Sequence, residues 1–343
     1  MSTSKINWGI LGPGKIARRF AAQLPLSSTG VLTAVAGRDI GRAAAFAEEF
    51  GASRAHSSFE ELLADSTVEA VYIATPHTLH AELAIKAANA GKHVLCEKPI
   101  AVNHGSAMAV AEAALRNGVV MLEGYMYRFH PQIDTLLELL SSGAIGAIQH
   151  IDASFAFVGK NRDSWLFDEA RAGGGILDVG GYPVSMARLI VSAALNKPSE
   201  PVSVTAQGHI AGNVDEWSTA SLCFESGITA NVRAGIVLGN EERLLIYGAR
   251  GSIQLHTPWV VEPEDHPTIT VSKAGEPSET IVCGAGAAYA AEADALAIAI
   301  AGDGQVDRMN MADSLANLRV LDQWRDQIGL RYSFEREDAS SRP

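Results

Sequence analysis

The chain has 343 residues, of which 47% are hydrophobic and 19% charged, so its length is too great for one compact core and suits two domains. The formal net charge of -12 argues against nucleic acid or an anionic membrane as a partner, because both reward clustered lysine and arginine. The three cysteines do not show the spacing of zinc ligands, so we expect no metal site. No apolar run approaches the roughly 20 residues that span a bilayer, so we expect a cytoplasmic protein.

The first 125 residues alternate short apolar runs with amphipathic or alanine-rich segments. The predicted strands are 6–11, 31–36, 70–74, 94–96 and 119–122. The predicted helices are 15–23, 41–50, 59–63, 78–90 and 105–117. This repeated strand–helix order favours a parallel, doubly wound sheet, and we assign residues 1–125 to an α/β domain.

The pattern changes after about residue 147, where strand-like alternation predominates. The predicted strands are 148–157, 202–210, 217–224, 228–237, 242–247 and 268–271. Helical segments are sparser and are predicted at 134–141, 180–191, 287–301 and 311–328. Half-polar strands with few crossovers favour a mostly antiparallel sheet with one covered face. We assign residues 126–343 to this α+β domain.

A glycine-rich turn, Gly12-x-Gly14-x-x-Ala17, connects the first predicted strand to the first predicted helix. The first glycine allows a tight turn, and the second lets the backbone approach a pyrophosphate. The helix that begins at Lys15 and Ile16 would face the phosphates with unpaired N–H groups. The motif therefore predicts an NAD(P) site that includes Gly12, Gly14, Lys15 and Ile16. A tight turn without a ligand is the alternative interpretation.

The end of the second predicted strand bears on the choice of cofactor. An NAD site usually has a carboxylate there for the ribose 2′-hydroxyl. This chain has Arg38 at that point, with Arg42 close behind, and a guanidinium suits a 2′-phosphate. We predict NADP rather than NAD, with Arg38 and Arg42 as binding residues. In the alternative, Arg38 is solvated and Asp39 turns inward to serve NAD.

Two further motifs follow predicted strands and so lie at the edge of the sheet where ligands bind. Thr75-Pro76-His77-x-x-His80 follows one strand, and we expect Thr75, Pro76 and His80 to contact the cofactor. Helix capping or a surface position is the alternative for both histidines. Glu97-Lys98-Pro99 follows the next strand.

Lys98 would approach the nicotinamide, where desolvation and the positive ring of the oxidised cofactor could lower its pKa and prepare it for proton transfer. A surface salt bridge between Lys98 and Glu97 is the alternative interpretation.

The second domain contains a glycine run, 173–175, followed by Asp178 and Tyr182. On a helix these two side chains share a face, because they are four residues apart. A tyrosine hydroxyl beside a lysine ammonium can relay a proton, and a carboxylate can orient either. Alternatively, Asp178 caps a helix and Tyr182 packs in the core.

Together these motifs resemble the Gfo/Idh/MocA family of NAD(P)-dependent oxidoreductases over nearly the whole chain. Arg128-Phe129-His130-Pro131 and Gly174-Gly175-x-x-Asp178-x-x-x-Tyr182 add to the resemblance. It implies a Rossmann domain joined to an α+β domain with an open, mostly antiparallel sheet. It further implies that substrate binds between the nicotinamide and that sheet, and that the sheet forms the interface of a homodimer or homotetramer.

Tyr182 stands where many members of the family have histidine. With tyrosine at this position, the chain resembles one branch of the family, whose members mostly use NADP. That branch contains glucose–fructose oxidoreductase, dimeric dihydrodiol dehydrogenase, D-xylose dehydrogenase and the sugar 3-ketoreductases. The resemblance implies that Lys98 and Tyr182 form the proton-transfer pair, with Asp178 orienting a partner or binding substrate. Glu97 is then a structural or ribose-side contact. The remaining residues implied to line the substrate pocket are Arg128, Asn161 and Trp165.

We therefore expect an NADP-dependent oxidoreductase acting on a sugar or polyol. Either Lys98 or Tyr182 is the direct base. Within enzymes, the alternatives are a trans-dihydrodiol dehydrogenase and a sugar–sugar oxidoreductase that retains its NADP. From another class, the alternative is an NADP-binding sensor without turnover, which would have no need of a proton relay.

Overall fold

A computed structural model describes residues 5–335, which form two compact units. The first unit contains the chain up to Phe129 together with Ala287–Leu315. The second contains His130–Gly286 and the chain from Ala316 onward. The sequence pattern assigns 287–315 to the second domain, but by its contacts this stretch groups with the first unit. A functional division after residue 125 stays a prediction.

The grouping of 287–315 has a physical cause in the contacts of one helix, Ala288–Ala301. Asp294 on this helix accepts hydrogen bonds from the Ser27 hydroxyl at 2.6 Å and from the Thr29 backbone N–H at 3.1 Å. The Tyr289 N–H donates to the Gln23 side chain at 3.1 Å. These contacts join the helix to residues far away in sequence, which a local pattern does not reveal.

The first unit is built on a parallel sheet, as predicted, and its six described strands are one more than the five predicted. In chain order its strands are β1 (Ile6–Leu11), β2 (Gly30–Ala36), β3 (Arg54–His56), β4 (Ala70–Ile73), β5 (His93–Glu97) and β6 (Met121–Gly124). They lie in the order β3-β2-β1-β4-β5-β6. The order reverses between β1 and β4, and the crevice at such a reversal is where doubly wound sheets bind ligands.

Helices of the first unit connect these parallel strands. They are α1 (Lys15–Gln23), α2 (Ile40–Phe50), α3 (Phe59–Ala64), α4 (His77–Asn89) and α5 (His104–Asn117). Side chains begin three of them: Asp39 caps α2, Ser58 caps α3 and Asn103 caps α5. All four residues of β4 are buried, as expected for a parallel strand covered on both faces.

The second unit contains an eight-stranded sheet. Its strands are β7 (Ile148–Val158), β8 (Pro201–Ala211), β9 (Val214–Phe224), β10 (Thr229–Gly235), β11 (Val237–Gly248), β12 (Gly251–Leu255), β13 (Thr268–Lys273) and β14 (Glu279–Val282). The order is β14-β13-β12-β11-β7-β10-β9-β8. Within the described part of this sheet, only the β7–β10 pair is parallel. The prediction of a mostly antiparallel sheet is confirmed.

The remaining helices are α6 (Pro131–Ser141), α7 (Gly181–Leu195), α8 (Ala288–Ala301) and α9 (Met311–Gln327). Helix α7 packs against β7, and burial alternates along β10, so one face of the sheet is covered. Within residues 5–335, none of the helices combines the length and the apolar character that a membrane span requires.

Candidate active site

A cavity of about 410 Å³ opens in the first unit, where β1, β2 and β4 end. Its lining includes six of the predicted cofactor residues: Gly12, Gly14, Arg38, Arg42, Thr75 and Pro76. Lys15 and Ile16 are the first two residues of α1, directly after this lining. The cavity thus lies beside the reversal of strand order, where a dinucleotide is expected.

The glycines at the cavity are required by the backbone. Gly12 has φ of +95°, and a Cβ at this position would lie 2.9 Å from the carbonyl oxygen of Ala74. Gly14 is the N-cap of α1, and no side chain caps the helix there. The first turn of α1 also lacks acidic residues. Its N-terminus therefore retains N–H groups and positive dipole character suited to a phosphate.

Thr75 supplies an additional sign that the cavity is built for a polar ligand. Its hydroxyl oxygen is buried and has no hydrogen-bond partner among residues 5–335. Buried hydroxyl groups are normally paired, since leaving one unpaired is unfavourable. A ligand in the cavity would provide the missing partner. The residues present therefore fit a dinucleotide.

Charge at the end of β2 distinguishes the two nicotinamide cofactors. The Asp39 carboxylate accepts the backbone N–H of Arg42 at 3.1 Å and so caps α2. Arg38 and Arg42 are exposed, and no carboxylate among residues 5–335 pairs with either guanidinium. Two guanidinium groups at the cavity favour a 2′-phosphate over a bare ribose.

Phe59 and Leu79 also line the cavity, and neither was predicted. Each lies at the beginning of a helix that follows a strand, α3 for Phe59 and α4 for Leu79. Apolar residues at such places are ordinarily interpreted as core. Their position just after the carboxyl ends of parallel strands was the signal that would have identified them.

His80 is 1% exposed, and both its ring nitrogens lie 2.8 Å from backbone carbonyl oxygens, those of Thr75 and Pro99. Burial lowers the pKa of His80, the two carbonyl groups oppose that effect, and the charge of Lys98 adds to it. Both ring nitrogens thus face backbone carbonyl groups, and the ring can assist cofactor binding by holding the two backbone segments. Direct contact of His80 with the cofactor stays a prediction.

Lys98 directly follows β5 and is half-buried. Glu97 before it is 7% exposed and accepts a hydrogen bond from the Tyr72 hydroxyl. Tyr72 in turn stacks on Phe20, with ring centroids 4.0 Å apart. Glu97 thereby connects the end of β5 to the interior of the unit.

Arg128, implied by the resemblance to line the substrate pocket, is 3% exposed within the first unit. Its guanidinium lies 3.2 Å from the Asp313 carboxylate and donates to the Tyr127 hydroxyl at 3.0 Å. Its carbonyl oxygen accepts from Arg308 at 2.8 Å. The contacts give Arg128 a structural part in this unit, and its contact with substrate stays a prediction.

In the second unit, Asp178 and Tyr182 lie on consecutive helical segments. Asp178 belongs to a π-helical turn, Ile176–Gly180, which continues directly into α7. Tyr182 is 6% exposed, and its ring packs edge-on against Phe155 and Trp259, with centroids 5.2 and 6.0 Å away. This aromatic packing fixes the ring of Tyr182.

The segment between β7 and the glycine run contains the other implied substrate residues. Asn161 is exposed, and its side-chain oxygen accepts the Asp163 N–H at 3.0 Å. Trp165 is half-buried and begins a short 3-10 helix. Arg162 between them pairs with Glu216 of β9 and lies over the Phe167 ring. The segment is thus attached to the sheet, while the substrate contacts of Asn161 and Trp165 stay predictions.

The predicted site residues therefore divide between the two units. Six of the predicted cofactor residues line one cavity in the first unit, and Lys98 belongs to the same unit. Asp178 and Tyr182 belong to the second unit. Pairing of Lys98 with Tyr182 stays a prediction. Among residues 5–335, no group of three or more histidine, cysteine or carboxylate side chains could hold a metal ion.

Comparison with known families assigns both parts of the chain. The model of the oxidoreductase family with an NAD-binding Rossmann fold matches residues 6–125, and that of the GFO/IDH/MocA C-terminal domain matches residues 133–254. The chain belongs to the Gfo/Idh/MocA family of oxidoreductases. The family resemblance and the fold class predicted from the motifs are both confirmed.

This chain is similar to three named oxidoreductases. D-xylose 1-dehydrogenase (NADP(+)) 2 of Haloferax volcanii is 32% identical over 92% of this chain and 95% of its own length. Trans-1,2-dihydrobenzene-1,2-diol dehydrogenase of Mus musculus is 35% identical over 74% of this chain and 75% of its own. Superposition on the crystal structure of the 3-ketoreductase KijD10 from Actinomadura kijaniata, in complex with NADP and TDP-benzene, gives a TM-score of 0.87 at 28% identity. The match covers 95% of this chain and 98% of the KijD10 chain.

Proposed function

We propose that this oxidoreductase uses NADP and acts on a CH–OH or C=O group of a sugar or polyol. The observation that carries the cofactor assignment is the end of β2. There Arg38 and Arg42 line the cavity with guanidinium groups that no carboxylate among residues 5–335 neutralises, while Asp39, which also lines it, caps α2. The xylose dehydrogenase named for NADP(+) and the NADP complex of KijD10 support the same cofactor.

Bound NADP supplies the nicotinamide carbon that takes or gives the hydride. The chain's own residues have to bind the nucleotide, orient the substrate and move one proton. Gly12 and Gly14 let the backbone and the α1 N-terminus approach the pyrophosphate. Thr75 offers its unpaired hydroxyl to the ligand.

Proton transfer is assigned to Lys98 and Tyr182. In this relay the Tyr182 oxygen takes the proton of the substrate hydroxyl during oxidation as its own proton passes to the Lys98 amine, and reduction reverses both transfers. In the alternative, Lys98 is itself the base that takes the proton from the substrate hydroxyl. Asp178, four residues before Tyr182, orients the substrate or the relay. Phe155 and Trp259 support this by fixing the Tyr182 ring.

A trans-dihydrodiol is the second candidate substrate. The aromatic surroundings of Tyr182 suit the face of a flat, partly apolar ring as well as that of a sugar, and several relatives are named for this activity. A sugar–sugar oxidoreductase with retained NADP and an NADP-binding sensor without turnover remain as alternatives for the test to separate.

For the assembly we propose a homodimer or homotetramer through the eight-stranded sheet. Six large apolar side chains are exposed on its described strands: Val158, Val202, Ile210, Trp217, Tyr247 and Val282. Singly, such residues are ordinary surface features, but on one open sheet they suit burial against a second copy. Light scattering of Trp217→Ser and Tyr247→Ser beside the wild type tests this, and an unchanged mass for both contradicts it.

The decisive test of the activity is spectrophotometric. Purified protein is mixed with NADP and a panel of aldoses, polyols and trans-dihydrodiols, and NADPH formation is followed at 340 nm. Turnover with a sugar or polyol supports the proposal, and turnover with a dihydrodiol alone selects the second candidate. Tight NADPH binding without turnover on the panel favours the sensor, while exchange between two sugars without free NADPH favours the retained-cofactor enzyme.

A further inference from the structure

Asp215, the second residue of β9, is a fully buried carboxyl group beside the glycine run that precedes Asp178. Its Oδ2 accepts the backbone N–H of Ile176 at 2.8 Å. Its Oδ1 is buried and has no partner among the described residues. Asp215 therefore holds the first residue of the π-helical turn that contains Asp178.

The glycine run makes this contact possible. A Cβ at Gly174 would lie 2.3 Å from Oδ1 of Asp215, and one at Gly175 would lie 3.3 Å from Oδ2. Gly174 also has φ of +116°, which favours glycine. Side chains at these positions would displace the carboxyl group from the helix start. The glycines and Asp215 thus form one structural element, which we call the β9 anchor, consisting of Gly174, Gly175, Ile176 and Asp215.

Other ionisable groups surround the anchor. The Tyr332 hydroxyl donates to the carbonyl oxygen of Gly173 at 2.6 Å, and Tyr332 is itself fully buried. Arg325 of α9 acts on Asp215 through its charge and is ion-paired with Glu335 at 2.9 Å. Glu169 and Glu335 contribute negative charge at Tyr332. These groups face the anchor from α9, from the segment after it and from the segment before the glycine run.

We propose that Asp215 is a positioning residue of this oxidoreductase, which fixes the turn bearing Asp178 and the helix bearing Tyr182 through its bond to the Ile176 N–H. A carboxylate at a helix start is favourable, because the unpaired N–H groups there carry partial positive charge. Loss of the bond to the Ile176 N–H loosens the first turn and displaces both side chains from their working positions. The expected effect on turnover rests on the proposed function, whereas the expected effect on the structure of the turn does not.

Burial raises the pKa of Asp215 to about 7, although the N–H groups of Ile176, Asp215 and Gly175 and the charge of Arg325 oppose that effect. The carboxylate is thus fully present above neutral pH and becomes protonated as the pH falls through about 7. Opening of the anchor would expose Asp215 and return it to its lower ordinary pKa, so the open form releases its proton at a lower pH than the closed form. The free energy of opening is therefore expected to fall as the pH rises toward about 7 and to level off above it.

The first experiment measures backbone amide exchange in residues 173–182 of the full protein without substrate, by mass spectrometry at pH 6 and pH 8. After correction for intrinsic exchange rates, wild-type protection should be greater at pH 6. In Asp215→Asn the pH difference should disappear, while Asp326→Asn, an exposed carboxylate of α9, should resemble the wild type. The wild-type comparison alone keeps the test valid if Asp215→Asn fails to fold, and equal protection at both pH values overturns the proposal.

The second experiment measures the pH profile of kcat with the best substrate found. We expect Asp215→Asn to lower kcat by about tenfold to hundredfold at pH 8, as for a small misplacement of catalytic groups, and to remove an ionisation near neutral pH. KM for NADP should change by less than about twofold, because the cofactor cavity lies elsewhere. Unchanged kcat and pH profile in Asp215→Asn overturn the positioning role. Unchanged turnover in Tyr182→Phe overturns the proposed function instead, so the two failures are distinguishable.

Discussion

The carboxylate of Asp39 accepts the backbone N–H of Arg42 at 3.1 Å and thereby caps α2. The acidic residue nearest the expected ribose site is consequently engaged with its own helix. Arg38 and Arg42 remain at the cavity with guanidinium groups that no described carboxylate neutralises. A local capping interaction thus decides which charge a bound nucleotide meets.

Replacement of Arg38 by alanine should reverse the cofactor preference. A charge-assisted contact to a 2′-phosphate contributes about 1.5–3 kcal/mol, so KM for NADP should rise by about tenfold to hundredfold. KM for NAD should change by less than about twofold, because NAD lacks the phosphate. Steady-state kinetics with both cofactors measure the ratio. Arg116→Ala, an exposed arginine at the end of α5, is the matched control. Equal loss with NADP and NAD would contradict the assignment.

Gly12→Ala should abolish high-affinity binding of the dinucleotide. The added Cβ would lie 2.9 Å from the Ala74 carbonyl oxygen in a conformation with φ of +95°. Gly91→Ala is the control, since Gly91 has φ of +73° with no atom within 4 Å of the added Cβ. Both variants should lose about 1 kcal/mol of stability from backbone strain.

Fluorescence titration with NADPH separates the two glycine variants. Only Gly12→Ala should weaken binding, by about tenfold or more, because it also moves the backbone against the pyrophosphate. Wild-type affinity in Gly12→Ala would show that the turn is a tight connection without a ligand role.

Several residues that line the cavity could be singled out from the sequence because their information is local. Gly12, Gly14 and Arg38 follow strands at fixed short spacings that encode a backbone turn and a charge. Phe59 escaped prediction, since an apolar residue at a helix start has the same pattern as a core residue. Asp215 escaped it because its partner, Ile176, lies on another element, and nothing near either residue in sequence indicates the contact.

The grouping of residues 287–315 with the first unit could not be predicted for the same reason. Residues 287–301 were correctly predicted as a helix, since their pattern is local. Their attachment to the first unit depends on Asp294 meeting Ser27 and Thr29, which lie near the other end of the chain. Pairwise contacts of this kind arise from packing, and a single sequence does not display them.

Glu292 should make stability depend on pH. It is fully buried in α8, and neither carboxyl oxygen has a partner among the described residues. Burial, followed by the negative charge of Glu97, raises the pKa of Glu292 well above its ordinary value. The folded protein therefore retains a proton that the unfolded chain releases above about pH 4.5. The free energy of unfolding should fall as the pH rises, by about 1.4 kcal/mol per unit until the folded group ionises.

Glu292→Gln removes this dependence, because the amide does not ionise. Thermal unfolding from pH 5 to pH 9 should show the Tm of the variant rising relative to that of the wild type as the pH increases. The exposed Glu48→Gln substitution on α2 is the control and should leave the wild-type profile unchanged. Parallel Tm profiles for wild type and Glu292→Gln would mean that the group is not protonated in the fold.

We propose that Lys98 and Tyr182 transfer the proton while NADP exchanges a hydride with a sugar or polyol. The decisive measurement is kcat for the best substrate in wild type, Lys98→Ala and Tyr182→Phe, with NADPH affinity measured in parallel. Loss of a proton-transfer group should lower kcat by about 10²–10⁴-fold in each variant. NADPH affinity should stay within about threefold in Tyr182→Phe, whose hydroxyl is assigned to substrate. Turnover near the wild-type rate in either variant would contradict the role assigned to that residue.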